Sequence, residues 1–533
     1  MQEKKLSRAQ NPEEVGVSSA VLADMMQHII NEKLNTHSIM VIRHGKVAFE
    51  QFRAPYAPWV PHVMFSVSKS VTACAIGFCV AEGLLNVDDP VINHVPELLL
   101  KEGDPHISNL TIHHLLNMTS GKETNILADK TKKQWLQDFV HDRFLHPPGE
   151  QFCYNNENIY ILSVIVKRVS GQCMVDFLMP RLFEPLGVPR PFWENDGYDI
   201  EAGGWGLYLT TESMAKFILC YTQGGIFEGK QVIPAEWVAA CSAVQAQRDE
   251  DPDDPHGDQG YGYCFWHNVV PNSYRADGVF SQFGLIFPEY DACVVTTGGE
   301  IFSRKSLNAL FEYLPALFIE NGGKQTGIKS VEVPQLPAYP VLREGARCPG
   351  LEEHLEDRFI MFPAAAQQIT KAAGFPVSVM PMAVFFMSAD KAGNINKVRF
   401  RFGDDTLKFS WSEGPERNTV LCGMDGQARL CQITLGGIDF IVSCSAAWEG
   451  SQKLHVWIRP LNSVAERRLV FTFHGRRVSM LPRSSPSIRS MTDYAAPHAM
   501  QMIPNPALAR MVSGAMDKIV LVMEPIHIGY LQR

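Results

Sequence analysis

Ser66-Val67-Ser68-Lys69 sets a hydroxyl and an amine three residues apart. The stretch from Met64 to Gly83 reads as a buried helix, and on a helix that spacing puts both side chains on one face. A serine hydroxyl is a poor nucleophile until a neighbouring base takes its proton. A lysine becomes such a base when burial or nearby cations lower its pKa, because desolvation disfavours the charged amine. Ser66 is expected as the N-cap, its oxygen accepting an unpaired backbone N–H. Gly83 is expected as the stop, since glycine takes the left-handed conformation that ends helices. The motif alone is common by chance and reads first as a capping serine with a solvated lysine. The apolar residues on both flanks argue against solvation.

Other chemistry-bearing residues are fewer. His113 and His114 fall on a helix expected from Leu110 to Gly121; adjacent helical residues diverge, and structural roles are expected for both. Tyr154 and Asn156 sit in a turn-rich loop, Pro147 to Asn156, ahead of a helix expected from Asn158 to Val169. Taken singly they read as surface groups. The acidic run Asp249 to His256 carries two prolines and reads as an exposed loop, not a metal site. The 12 cysteines follow no metal-ligand or paired spacing, so reduced thiols are expected.

The elements that must position these residues follow from periodicity. Residues 13–35 read as a helix with Leu22, Met25, Met26, Ile29 and Ile30 on one stripe and Val17-Ser18-Ser19 as cap. Ser38 to Glu50 reads as two strands round His44-Gly45. A glycine-rich turn at Gly203 to Gly206 leads into a helix carrying Met214, Phe217, Ile218 and Tyr221. Strands are expected at Gly260–Trp266, Ser273–Phe280, Phe283–Pro288 and Ala292–Thr297, then a closing helix over 304–319. Helix, hairpin and helix in this order imply an antiparallel sheet covered by helices.

Asn321-Gly322-Gly323 and the prolines from Pro334 to Pro340 read as a linker. Beyond it, Lys397–Phe402, Leu407–Trp411, Leu454–Ile458 and Leu469–Phe473 alternate strongly and imply an antiparallel β module, sheet or barrel. A last helix is expected after Pro504-Asn505-Pro506. The division is therefore 1–325, a linker over 326–345, and a β-rich accessory domain over 346–533.

Hydrophobic residues make up 46% and charged residues 20% of the 533, as in a globular protein with a sizeable core. A net charge of −9 gives no reason to expect nucleic acid. No stretch is long and apolar enough to span a bilayer and the first residues are polar, so a cytoplasmic protein with no membrane partner is expected.

Residues from about 13 to 320 resemble the serine β-lactamase and penicillin-binding-protein superfamily, in its class C-like branch of esterases, D-aminopeptidases and 6-aminohexanoate-dimer hydrolases. The resemblance rests on Ser66-Val67-Ser68-Lys69, Leu115 to Gly121, Pro147-Pro148-Gly149-Glu150 with Tyr154-Asn155-Asn156, Gly206 to Thr211, and Tyr261-Gly262-Tyr263, in that order. It implies an α+β fold, an antiparallel sheet flanked by helices plus a helical subdomain, with the β-rich domain following. It implies Ser66 as the acylated nucleophile, Lys69 as the amine that helps take its proton, and Tyr154 as the acid and base of the leaving-group and water steps. Asn156 would orient Lys69 or a substrate carbonyl. The family's third motif falls at Ala276-Asp277-Gly278, with alanine where a cation usually stands and the glycine kept for close backbone approach. The N–H groups of Ser66 and Val279 would then form the oxyanion hole.

The expected activity is hydrolysis of a small ester or amide through an acyl-enzyme on Ser66, without metal or cofactor. The alanine disfavours a β-lactamase or carboxypeptidase, whose substrates present a carboxylate at that position, and favours an esterase or amidase acting on an uncharged or differently charged acyl group; of the two, an esterase is expected, because esters need less leaving-group help. Asp277 is expected either to attract a cationic substrate or to point away from the cleft. Two rival readings are an acyltransferase on the same site and a binding protein with a retired cleft.

Overall fold

A computed structural model describes residues 3–100, 104–122, 134–249, 251, 254–319, 330–363, 378–381, 384, 394–491, 493 and 524–532. The chain divides into two compact units, Met1–Pro337 and Ala338–Arg533. In chain order the first unit contains β1 (Ser7–Arg8), α1 (Ser19–Asn31), β2 (Thr36–Arg43), β3 (Lys46–Phe52), α2 (Val67–Ala81), α3 (Ile112–Leu116), α4 (Asn156–Ser170), α5 (Thr211–Thr222), β4 (Trp266–His267), β5 (Tyr274–Gly278), β6 (Gln282–Phe287), β7 (Ala292–Gly298) and α6 (Ser303–Phe311). Seven strands form one sheet in the order β1-β3-β2-β7-β6-β5-β4. It is antiparallel except for β1 beside β3.

Alternation along the strands decides the two faces. Ile39, Val41, Phe283, Leu285 and Val294 pack against Leu22, Met25, Met26 and Ile29 of α1 and Leu307 and Leu310 of α6. On the opposite face α5 lies against β6, where Ile218 and Met214 fill the space a Cβ of Gly284 would take. The β2–β3 hairpin turns on His44 (φ 50) and Gly45 (φ 72), left-handed at both positions as a tight twisted hairpin requires.

Apart from Lys69, helix α2 carries small or apolar side chains on every side, and Val67 through Cys79 are all buried. Such a helix belongs in an interior. Gly77 admits the Trp237 ring, which a Cβ would strike at 2.4 Å. The helix ends at Ala81 and Gly83 takes φ 69, as its sequence implies.

Four expectations are corrected. The Leu110–Gly121 helix is a single short element, α3, capped by Thr111 and ending at Asn117. The helix after the Tyr154 loop starts at Asn156, because Asn155 caps it by accepting the Asn158 N–H at 3.0 Å. Of the Gly260–Trp266 stretch only Trp266 lies in a strand, β4, which runs on to His267; Cys264 is left-handed and breaks the alternation. The closing helix stops at Phe311. Residues 330–337 belong with the first unit, where the Gln51 side chain of β3 accepts the Leu336 N–H at 2.8 Å and donates to Pro334 O at 3.2 Å.

The second unit contains β8 (Phe359–Met361), β9 (Ile395–Phe402), β10 (Thr406–Glu413), β11 (Glu416–Gly423), β12 (Arg429–Leu435), β13 (Ile438–Glu449), β14 (Lys453–Pro460), β15 (Glu466–His474), β16 (Arg477–Ser485) and β17 (His527–Leu531). Their order is β11-β10-β9-β8-β17-β16-β15-β14-β13-β12, and β11 also pairs with β13 at Gly423 and Ser445. The sheet therefore returns on itself, and the module is a barrel with Phe400, Phe409, Trp411 and Phe471 in its core. The helix expected after Pro504 lies outside the described residues. Among the described residues no helix is long and apolar enough to cross a membrane.

Candidate active site

Ser66 precedes the first turn of α2 and is only partly buried, whereas Lys69, one turn on, is 1% exposed. The expected cap bond is absent. Ser66 has helical torsions and its side chain caps no backbone N–H. Its Oγ instead accepts from Lys69 Nζ at 2.9 Å. Lys69 Nζ also donates to Asn156 Oδ1 at 2.5 Å and to Gly204 O at 2.8 Å. Three acceptors use the three N–H bonds of an ammonium. None of the three carries a formal charge, and burial pushes the amine down to about 7, against smaller opposing effects of Cys264 and Glu157. The amine is thus divided between its two protonation states near neutrality, beside a hydroxyl.

The loop carrying Tyr154 is fastened on both sides. Cys153 N–H donates to Met118 O at 2.8 Å, and Asn155 N–H reaches Met118 Sδ at 3.4 Å. The Asn155 cap of α4 fixes Asn156 as the first helical residue, aimed at Lys69. Lys69 Nζ lies 4.9 Å from the centroid of the Tyr154 ring, and Trp266 stacks on that ring at 5.8 Å. Tyr261, buried, meets both Tyr154 and Trp266 edge-on.

Strand β5 brings the third motif alongside. A Cβ on Gly278 would lie 2.6 Å from Met64 O, so the strand approaches the residues before Ser66 as only glycine allows. Val279 follows the end of the strand. The buried Gln282 amide fastens this turn by donating to Val279 O, Phe280 O and Gly298 O at 3.2, 3.0 and 2.9 Å. Ala276 is fully buried. Asp277 accepts from Arg275 Nε at 2.8 Å and lies 3.9 Å from Arg304 Nη1. Its charge is already matched, which removes the expectation that it attracts a cationic substrate.

Left-handed backbone gathers around this constellation. Phe65 (φ 45), Met118 (φ 65), Cys264 (φ 62), Phe280 (φ 65) and Ser281 (φ 71) are all non-glycine. Each such residue stores on the order of 1 kcal/mol, and functional sites are where packing sustains it. His113 and His114 are structural: His113 Nδ1 bonds the Tyr263 hydroxyl at 2.7 Å and His114 Nδ1 takes part in the cap of α3.

The structure therefore brings Ser66, Lys69, Tyr154 and Asn156 together and sets Gly278 beside the residues that lead into Ser66. Two members went unread in the sequence as parts of the site. The Gly204 carbonyl has no residue-type signature, although the Gly203-Gly204 pair marks a place where backbone approaches closely. Trp266 was legible only as a strand aromatic.

The chain is 27% identical over 196 residues to Protein flp of Staphylococcus aureus strain NCTC 8325, which covers 34% of this chain and 39% of that protein. It thus spans less than half the length of that curated relative. Among solved structures it is similar to a penicillin binding protein from Bacillus halodurans (20% identity, 54% of this chain and 99% of that one, TM-score 0.44). It is also similar to an octameric penicillin-binding protein homologue from Pyrococcus abyssi (16%, 86% and 97%, TM-score 0.44). The beta-lactamase family profile matches residues 22–298, just over half of the chain and every residue of the constellation above, and the chain belongs to that family.

Proposed function

We propose that the protein is a serine hydrolase that forms an acyl-enzyme on Ser66 from a small ester or amide and releases the acyl group to water. The observation that carries this reading is the buried Lys69 amine, held near neutrality 2.9 Å from the Ser66 hydroxyl. In its neutral form the amine accepts the Ser66 proton as the oxygen attacks the substrate carbonyl carbon. Asn156 Oδ1 and Gly204 O then receive the ammonium that forms. The backbone N–H groups of Ser66 and Val279 donate to the developing oxyanion. Tyr154 protonates the leaving group and afterwards takes a proton from the attacking water. No metal or cofactor enters this scheme.

The substrate class follows from charge. Alanine at 276 supplies no cation, and Asp277 is paired with Arg275. An uncharged acyl group suits such a site better than a carboxylate-bearing one. Esters are favoured over amides because their leaving groups need less protonation.

A fluorophosphonate probe followed by mass spectrometry, with turnover of para-nitrophenyl esters, tests the reading. Labelling on Ser66 is expected, with a loss of at least about 10³-fold in turnover in Ser66→Ala. Unchanged turnover in that variant, with the label elsewhere, would overturn it.

A further inference from the structure

Besides Lys69, helix α2 buries three hydroxyl residues, Ser68, Ser70 and Thr72. A buried hydroxyl needs a partner, and within a helix the nearest one is the carbonyl one turn back. Thr222 at the end of α5 and Ser170 at the end of α4 donate in this way to the carbonyls of Ile218 and Val166, at 2.9 and 2.6 Å. The three of α2 turn outward instead. Ser70 donates to Cys264 O at 2.7 Å, Thr72 donates to Gly203 O at 2.9 Å, and Ser68 accepts the Leu207 N–H at 3.3 Å.

Two of these bonds fall on the segment that gives the site a carbonyl. Thr72 and Ser68 hold its two ends, Gly203 and Leu207, and Lys69 Nζ donates to Gly204 O between them at 2.8 Å. Thr72 follows Lys69 by three residues, so both side chains lie on one face of α2, and they take consecutive carbonyls. The segment also packs on α4. A Cβ on Gly203 would lie 2.3 Å from Ser163 Oγ and 2.8 Å from Ile159 O, and one on Gly204 would lie 3.2 Å from Asn156 O. Gly203 is left-handed as well, at φ 66. Only glycine fits there, and a glycine pair is the freest of backbones. Its own torsions do not fix where the Gly204 carbonyl points. A bond to the adjoining peptide does, and Thr72 makes that bond from a fully buried position.

We propose that Thr72 is a positioning residue of the Ser66 site, its hydroxyl holding the Gly203 carbonyl so that the Gly204 carbonyl stays on Lys69 Nζ. Its effect on turnover rests on the acyl-enzyme reading of Ser66, in which Gly204 O and Asn156 Oδ1 receive the ammonium formed when Lys69 takes the Ser66 proton. Thr72 acts through the backbone. Without its hydroxyl the Gly203 carbonyl loses this donor, the glycine pair relaxes, and the bond from Lys69 to Gly204 O weakens. That bond favours the charged amine, so its loss takes the amine below its present value of about 7.

Carbon-13 at the lysine Cε positions of the full chain reports the ionisation of Lys69 directly, whatever the protein hydrolyses. The Lys69 signal is the one missing from Lys69→Met. Thr72→Val and Thr72→Ala both lack the hydroxyl, the first with the side-chain shape kept and the second with less bulk to place. In both, the titration midpoint should fall by about half a unit to one unit, and the rising limb of acylation against pH should move down with it. Thr72→Ser keeps the hydroxyl and should hold both at the parent values. Melting curves accompany each variant; a purely structural role would lower the melting temperature and leave the midpoint in place. A midpoint unmoved in both hydroxyl-free variants, or one that falls as far in Thr72→Ser, would overturn the proposal. Failure of the acyl-enzyme reading looks different: turnover then survives Ser66→Ala while the Lys69 midpoint still responds to Thr72.

Discussion

The pH dependence of acylation tests the reading of Lys69 most directly. Burial brings the amine down to about 7 from 10.5. At that value the neutral fraction is about a tenth at pH 6, half at pH 7 and nine-tenths at pH 8. An unperturbed lysine would be neutral in roughly one molecule in three thousand at pH 7. If neutral Lys69 takes the Ser66 proton, the single-turnover acylation rate with an activated ester should rise about tenfold from pH 6 to pH 8 and then level off. Stopped-flow release of a chromophoric leaving group, read at its isosbestic wavelength, measures this. A second arm uses Asn156→Ala. Asn156 Oδ1 accepts from the ammonium at 2.5 Å and so favours the charged form. Its removal should move the rising limb to lower pH, whatever it does to the plateau. A limb centred above about pH 9, or a limb that Asn156→Ala moves upward, would refute the assignment of Lys69 as the base.

Three further outcomes follow. Gly278→Val should lower turnover by about 10²-fold while the protein stays folded, because its Cβ would meet Met64 O at 2.6 Å and force β5 away from Ser66; steady-state kinetics beside circular dichroism checks both halves. Trp266→Ala should reduce kcat by about tenfold and Trp266→Phe should restore most of it, since the stacked ring holds Tyr154 against Lys69; kcat compared with KM across the two variants decides. In the barrel, burial pushes Glu413 up to about 8 from 4.5, so the folded state keeps a proton that the unfolded chain releases. That contribution is complete below pH 4.5 and is lost as the pH rises to 8. Glu413→Gln should therefore raise the barrel's unfolding temperature at pH 8.5 relative to the parent and change it little at pH 4.5, as calorimetry would show.

Much of the first unit was legible because its signals are local. The α1 stripe, the His44-Gly45 hairpin, the stop at Gly83 and the strands β5, β6 and β7 each follow from a few neighbouring residues. The misreadings came where a local pattern met a tertiary demand. Gly260–Trp266 alternates like a strand, but the left-handed Cys264 breaks it and its carbonyl is held by Ser70 Oγ at 2.7 Å. The serine at 66 looks like a cap, but its oxygen is turned to Lys69. The closed barrel was undecidable from alternation, because a sheet and a barrel share the same inward period of two.

The sequence by itself determined that a hydroxyl and an amine share one face of a helix with no solvated side. That helix period and that composition are properties of adjacent residues. Only the tertiary structure decided that the amine would find Asn156 and the carbonyl of Gly204 with no formal counter-charge among the three acceptors, and that Trp266 would stack on Tyr154. Those partners lie 87, 135 and 112 positions apart in the chain. Their meeting is set by the packing of α2, α4 and the sheet edge, which no local pattern encodes.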